Sequence, residues 1–333
     1  MSARGARVGA VAHRMLGLMK TRRLWRVRRA VFLLRRSAPR VARPLSRAIR
    51  VGPPRRPVFV VGCPRSGTTV LRNILMTSNE LASVQAEGHI LWNEFHPPRK
   101  RTAASDALGA EDVSEREREY VYLAVRLGVR GRRFVDKTPE NCLRFEYLDA
   151  LFPDAMFVFL HRRGADNVNS LIEGWRARPR FVTHRLPEPL EGIAPLDGHR
   201  WSFVLVPDWR ALRHASLETI CAQQYIACNQ AALAARERLD PTRWIDVSYD
   251  ALLAQPVAQL GSIFAALGLR FTPAVQRAAQ RRIETPTATT ISPPRPQKWR
   301  DENREAVERI LPLIAETERR LGYRGLPASR RTT

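Results

Sequence analysis

Acidic residues are missing from the start of this chain: residues 1–56 hold seventeen Arg and Lys and no Asp or Glu. The full 333 residues carry a formal net charge of +24. The rest of the chain is therefore left with about +7, modest for a folded domain and short of the basic surface expected of a nucleic-acid-binding core. Cysteine is scarce. Cys63, Cys142, Cys221 and Cys228 show no CxxC or other metal-ligand spacing, which points to reduced thiols rather than disulfides. The histidines have no ligand spacing either, so no metal is expected. No run approaches the roughly 18–20 apolar residues of a membrane span. The N-terminus lacks an uninterrupted apolar core with a small-residue cleavage site. The expected location is cytoplasmic, with room for peripheral contact at a membrane. Internal repeats are absent.

What is present fits one large α/β domain with appendages. Residues 1–55 form a basic arm in which Leu16, Leu18, Met19, Leu24, Trp25, Val27, Val31, Phe32, Leu33 and Leu34 alternate with Arg. Such a segment is either a solvated, disordered tail or an amphipathic helix for an anionic membrane surface, contacted through residues 1–50. A specific nucleic-acid partner is not expected. Gly52-Pro53-Pro54 reads as a linker. The folded domain is set at 56–325, and a disordered tail at 326–333.

Within that domain, apolar runs alternate with helical periodicity. Strands are expected at Val58–Val61, near Ala82–Gln85, at Arg133–Asp136, Ala155–Leu160 and Trp244–Val247. Helices are expected over Thr69–Thr77, 114–130, up to Leu151, from Ala165, and over 214–238, 256–267 and 301–321. This alternation predicts a P-loop-like three-layer domain, a mostly parallel central sheet flanked by helices. Ligands of such sheets bind beyond the carboxyl ends of the strands. The Pro-rich stretch 176–210 has no clear period and reads as a lid or substrate-facing insertion.

The most informative stretch is Val58-Phe59-Val60-Val61-Gly62-Cys63-Pro64-Arg65-Ser66-Gly67-Thr68-Thr69. A buried-strand pattern runs into a Gly-rich turn and then a helix, the arrangement that points backbone N–H groups at an anion. Gly62 and Gly67 permit the turn, Ser66, Thr68 and Thr69 add hydroxyls, and Arg65 adds fixed charge. The spacing is that of a Walker A loop, but Thr68 stands where a P-loop NTPase carries Lys. The strand before Arg162 ends in His161 and not in a Walker B Asp. A P-loop kinase or NTPase is thus the weaker alternative, as is a catalytically inactive basic adaptor for membranes or nucleic acid. Arg162 leaves the end of the Ala155–Leu160 strand and Ser170 follows eight residues later on a helix, a pair able to grip a second phosphate.

With these two elements in place, the chain resembles sulfotransferases that use 3′-phosphoadenosine 5′-phosphosulfate. Pro64-Arg65-Ser66-Gly67-Thr68-Thr69 is similar to the family's phosphosulfate loop, and Arg162 with Ser170 to its 3′-phosphate clamp. The usual Arg-Asp-Pro/Gly reads Arg162-Arg163-Gly164, so Arg163 competes for the role of Arg162. Asp136-Lys137-Thr138-Pro139 and Leu151-Phe152-Pro153-Asp154-Ala155 resemble the tyrosylprotein sulfotransferases and their bacterial relatives. Ser248-Tyr249-Asp250-Ala251-Leu252-Leu253 resembles the segment beside the nucleotide, and Gln297-Lys298-Trp299-Arg300 with Leu321-Gly322-Tyr323 the family's C-terminal ending. The likeness spans roughly residues 57–325.

The resemblance implies in-line transfer of a sulfuryl group to a hydroxyl of a glycan, glycolipid, small alcohol or phenol, or tyrosine, with no metal. It implies Lys137 and Arg65 as the charges near the reacting group and Glu87 as the base. His89 is the alternative base. The donor is expected on Arg65, Ser66, Gly67, Thr68, Thr69, Arg162, Ser170, Tyr249 and Lys298. One hydroxyl among Thr285, Thr287 and Ser292 is also expected at the nucleotide. His161 is expected to be structural.

Overall fold

The computed structural model describes residues 37–101, 104–282, 285–293 and 295–323. Most of the basic arm and the C-terminal tail lie outside these residues. Of the arm, residues 37–45 form a helix, α1, which buries Ala38 and Ala42.

Five parallel strands form the central sheet: β1 (Val58–Val61), β2 (Leu81–Ala82), β3 (Arg133–Asp136), β4 (Met156–His161) and β7 (Trp244–Ser248), in the order β2-β3-β1-β4-β7. A two-stranded antiparallel hairpin, β5 (Val182–Arg185) and β6 (Arg200–Ser202), stands apart from it. The helices are α2 (Thr68–Leu75), α3 (His89–Trp92), α4 (Pro98–Arg101), α5 (Glu115–Val129), α6 (Phe145–Leu151), α7 (Gly164–Arg176), α8 (Leu217–Arg238), α9 (Tyr249–Ala254), α10 (Pro256–Leu267), α11 (Pro273–Arg282), α12 (Trp299–Glu302) and α13 (Arg304–Arg320). Among the described residues no helix is long and apolar enough to cross a membrane.

The continuous apolar runs of β1 and β4 follow from burial on both faces. Alternate side chains enter two separate cores. Phe59, Val61, Phe157 and Phe159 face the layer of α5, α6, α7, α8 and α13, whereas Val58, Val60, Met156, Val158 and Leu160 face α2, α9, α10 and α11. Phe59 is the hub of the first layer. Its ring stacks on Phe157 at 5.8 Å between centroids, meets Phe134 edge-on at 6.1 Å and lies 5.6 Å from Phe152.

Local signals set several ends. Ser114 accepts a hydrogen bond from the Glu117 N–H at the start of α5, and Ser248 caps α9 in the same way. Gly268 ends α10 at φ 66°. The structure departs from expectation in several places, among them the short helices α3, α4 and α9, which show no period of their own in the sequence. The second strand is Leu81–Ala82, earlier and shorter than expected. The stretch 176–210 holds the β5–β6 hairpin, whose short strands interrupt their own alternation with a bulge at Val182/His184. Helix α11 went unanticipated, because PAVQRAAQRR is too polar to show a strong apolar stripe.

The register positions the site. Phe59 pairs with Phe157 and with Asp136, so β1, β3 and β4 end side by side. Replacing the hub ring tests this packing. Phe59→Ala is expected to lower the unfolding free energy by about 3–5 kcal/mol, read from urea denaturation.

Candidate active site

The loop from β1 to α2 is shaped by two close approaches. A Cβ on Gly62 would stand 2.3 Å from the Leu160 carbonyl oxygen. A Cβ on Gly67, at φ 101°, would stand 2.6 Å from the Tyr249 ring. Asn167 on α7 donates to the Pro64 carbonyl at 2.8 Å and pins the outer side of the loop. Helix α2 starts at Thr68 without a side-chain cap. Among the described residues the backbone N–H groups of Gly67, Thr68 and Thr69 have no backbone acceptor. These are the bare donors of a helix N-terminus, turned toward a cavity of about 400 Å³.

That cavity gathers side chains far apart in sequence. Arg65, Gly67, Thr68, Thr69, Glu87, His89, Lys137, Arg162, Ser170, Tyr249 and Lys298 all line it. Ser66 is the exception among the expected residues. Its hydroxyl is fully buried behind the loop, with no hydrogen-bond partner among the described residues, because it packs toward Gly62. Arg65, at φ 73°, sends its Nε to Ser170 Oγ at 3.2 Å and its NH1 to the Thr289 carbonyl at 2.5 Å. Burial lowers its guanidinium to about 10, partly opposed by the charge of Glu173, so it remains a cation at neutral pH. Arg162 lies over the Tyr249 ring at 4.9 Å and donates to the Arg65 carbonyl at 3.2 Å. Arg163 points elsewhere, pairing with Asp250 at 3.2 Å and stacking on Tyr323. Arg162 is thus the arginine at the cavity. His161 Nδ1 sits 2.9 Å from the Tyr323 hydroxyl and ties β4 to the segment that follows α13.

Opposite the loop, Lys137 at the end of β3 forms an ion pair with Glu87, and Glu87 contacts His89 Nε2 at 3.0 Å. Burial acts to raise the Glu87 carboxyl. The hydrogen bond with His89 and the charge of Lys137 together outweigh it and hold the group down to about 2. Burial opposes protonation of His89, but Glu87 and the charge of Glu140 raise its affinity for a proton overall. The pair is held by a buried network. Asp136 Oδ2 accepts from Asn141 at 2.8 Å, Thr138 Oγ1 at 2.9 Å and Trp92 Nε1 at 3.3 Å, and the Gly88 N–H donates to Thr138 Oγ1 at 2.7 Å. Gly88 leaves no room for a side chain, since a Cβ there would meet Asp136 at 2.6 Å.

A third wall carries residues expected at the nucleotide: the segments 285–293 and 295–298 bring Thr285, Thr287, Ser292 and Lys298 to the cavity. Lys298 Nζ binds both Glu173 oxygens, at 2.9 and 3.0 Å, and approaches Glu302 at 3.2 Å. Ser292 bonds the same Glu173 at 2.9 Å. Arg180 and Phe181, from the Pro-rich stretch, complete this side, with Arg65 5.1 Å above the Phe181 ring. Glu173 lies one helical turn beyond Ser170 on α7, and that spacing was the available signal for it.

The cavity therefore offers bare N–H groups, five Arg and Lys side chains and several hydroxyls, a donor set for a polyanion with two separated anionic groups. Among the described residues no cluster of His, Cys, Asp and Glu is arranged to hold a metal ion.

A family model described as "Sulfotransferase family" matches residues 57–185 and 200–273, over half of the chain. The nodulation protein NoeE of Sinorhizobium fredii is 29% identical over 144 residues, covering 39% of this chain and 33% of that protein. The chain thus matches about a third of the length of that curated relative. Among solved structures, a sulfotransferase domain from the Curacin biosynthetic pathway has a TM-score of 0.47 at 18% identity, covering 82% of this chain and 99% of the other. Sulfotransferase STF9 from Mycobacterium avium has 0.47 at 17%, covering 83% and 78%.

The Glu87 pairing can be read directly. A carbon-13 NMR titration is expected to place its carboxyl at about 2, below the ordinary 4.5, and Lys137→Met is expected to move it upward. The sign follows from linkage. With the folded value depressed, the pairing stabilises the fold fully above the ordinary value and is lost as pH falls from there toward about 2. An unchanged Glu87 midpoint in Lys137→Met would remove Lys137 from the pairing.

Proposed function

Because the chain belongs to the sulfotransferase family, we propose that it moves a sulfuryl group from 3′-phosphoadenosine 5′-phosphosulfate to an acceptor hydroxyl. The observation that carries the reading is the convergence on one cavity of the β1–α2 loop, Lys137, the Arg162–Ser170 pair and Lys298. The residues present fit the donor, since bare loop N–H groups and buried cations are what its phosphate and sulfate oxygens require.

The donor supplies a sulfuryl group activated as a mixed anhydride with phosphate. The chain's residues do the rest. The N–H groups of Gly67, Thr68 and Thr69, with Arg65, hold the phosphosulfate. Arg162 and Ser170 hold the 3′-phosphate, Tyr249 flanks the nucleotide, and Lys298 reaches its phosphates from the far wall. Lys137 neutralises charge that develops on the leaving oxygen. Glu87 accepts the acceptor's proton. At about 2 the resting carboxylate is a weak base, and it strengthens when Lys137 turns its charge toward the donor. This Lys–Glu arrangement, with Asp136-Lys137-Thr138-Pro139, sets the chain beside the tyrosylprotein branch in our reading. The acceptor is a hydroxyl of a glycan, glycolipid, small alcohol or phenol, or tyrosine.

Two measurements test this. Calorimetry is expected to show adenosine 3′,5′-bisphosphate binding more tightly than ATP with Mg²⁺, and Arg162→Ala weakening that binding by about 10–100-fold. A preference for ATP with Mg²⁺ would sink the reading. Lys137→Ala is expected to cut labelled sulfuryl transfer by about a hundredfold or more while nucleotide affinity largely survives. Equal turnover by that variant would take Lys137 out of the mechanism.

A further inference from the structure

We propose that α1 and the turn that follows it form a docking surface for an anionic lipid bilayer. Helix α1 is seated on the protein in an unusual way. Ala38 and Ala42 of the helix and Ser46 of the turn after it occupy the buried row, while the larger Val41 and Leu45, with Ile49 past the turn, form the neighbouring row and stand 45%, 39% and 43% exposed. Residues four apart share a row on a helix, and the Ile49 N–H donates to the Leu45 carbonyl at 2.9 Å, keeping Ile49 in register. Burial ordinarily takes the larger apolar side chain and leaves the smaller one out. Only two other large apolar residues among the described ones are comparably exposed, Leu127 and Leu313, and they stand on separate helices. Arg43 pairs with Glu94 at 2.9 Å and Arg50, past the helix, pairs with Glu119, so the C-terminal half of α1 and the turn after it are tied to the domain.

Charge selects the occupant. No Asp or Glu occurs before Glu80. Arg40 and Arg47 are exposed and have no carboxylate partner among the described residues. The 36 residues that precede α1 in the chain add eleven Arg and Lys and the apolar residues Leu24, Trp25, Val31, Phe32, Leu33 and Leu34. Folding that segment back over the stripe would gather like charges with no counter-charge. A second copy of the same surface would do the same. An anionic bilayer provides apolar depth for Val41, Leu45 and Ile49 and phosphate charge for the arginines, with about 1 kcal/mol gained per basic residue near the surface.

The test uses the full chain and vesicle co-sedimentation without donor or acceptor, so its outcome is independent of the proposed activity. Vesicles of phosphatidylcholine with phosphatidylglycerol are expected to bind the protein, and vesicles of phosphatidylcholine alone to bind it at least about tenfold less. The variant Val41→Ser, Leu45→Ser, Ile49→Ser alters exposed positions and is expected to keep its Tm while binding the anionic vesicles about tenfold more weakly. Arg40→Gln with Arg47→Gln is expected to lose a similar factor and part of the salt dependence. The proposal is overturned if the native chain ignores anionic vesicles or if the serine variant binds them as well as the native chain does. It is equally overturned if light scattering shows a dimer that the serine variant dissociates, which would assign the stripe to a second copy.

Discussion

Like charges gathered in one cavity repel, and the rest of the site is arranged to hold them there. Arg65, Lys137, Arg162 and Lys298 line a single space of about 400 Å³. Each leans on a different compensating group: the Thr289 carbonyl, the Glu87 carboxylate, the Tyr249 ring and the Glu173 carboxylate. These four groups come from four different parts of the chain.

The parallel sheet is what brings the cations together. The carboxyl ends of β1, β3 and β4 deliver the loop at 62–67, Lys137 and Arg162 as neighbours. Register alone would leave the Lys137 side loose, since Glu87 sits on a loop after the two-residue strand β2. The buried Asp136 network supplies the missing rigidity by joining β3, the turn at Thr138 and Asn141, and the Gly88 N–H. A buried carboxylate is costly unless bonded, and the three donors on Asp136 Oδ2 fix its position. Glu87 and Lys137 depend on it for their spacing without being part of it.

Much of this was legible residue by residue. Valine and phenylalanine packed without interruption at Val58–Val61 and Met156–His161 have no stable place except a strand covered on both faces. Gly62 and Gly67 around Arg65-Ser66 have a local reading as an anion loop. The role of Arg162 against Arg163 was not legible, because neighbouring arginines differ only in the direction the backbone sends them. Ser66 misled for the same reason: a hydroxyl in the right motif position points away from the cavity. Glu173 and Arg180 left little trace, since their partners, Ser292 and Lys298 for the one and the Ala288 and Thr290 carbonyls for the other, lie more than a hundred residues away.

By itself, then, the sequence determined the layer architecture, the glycine-bearing loop after β1 and the acid-free arm. Each depends on periodicity, on glycine at a particular place or on composition, properties carried by residues close together in the chain. The tertiary structure alone decided which cations share the cavity, which carboxylate answers each of them, and that α1 turns its larger apolar row outward. Those are outcomes of distance in space between segments remote in sequence, and ion pairing, burial and desolvation act on that distance.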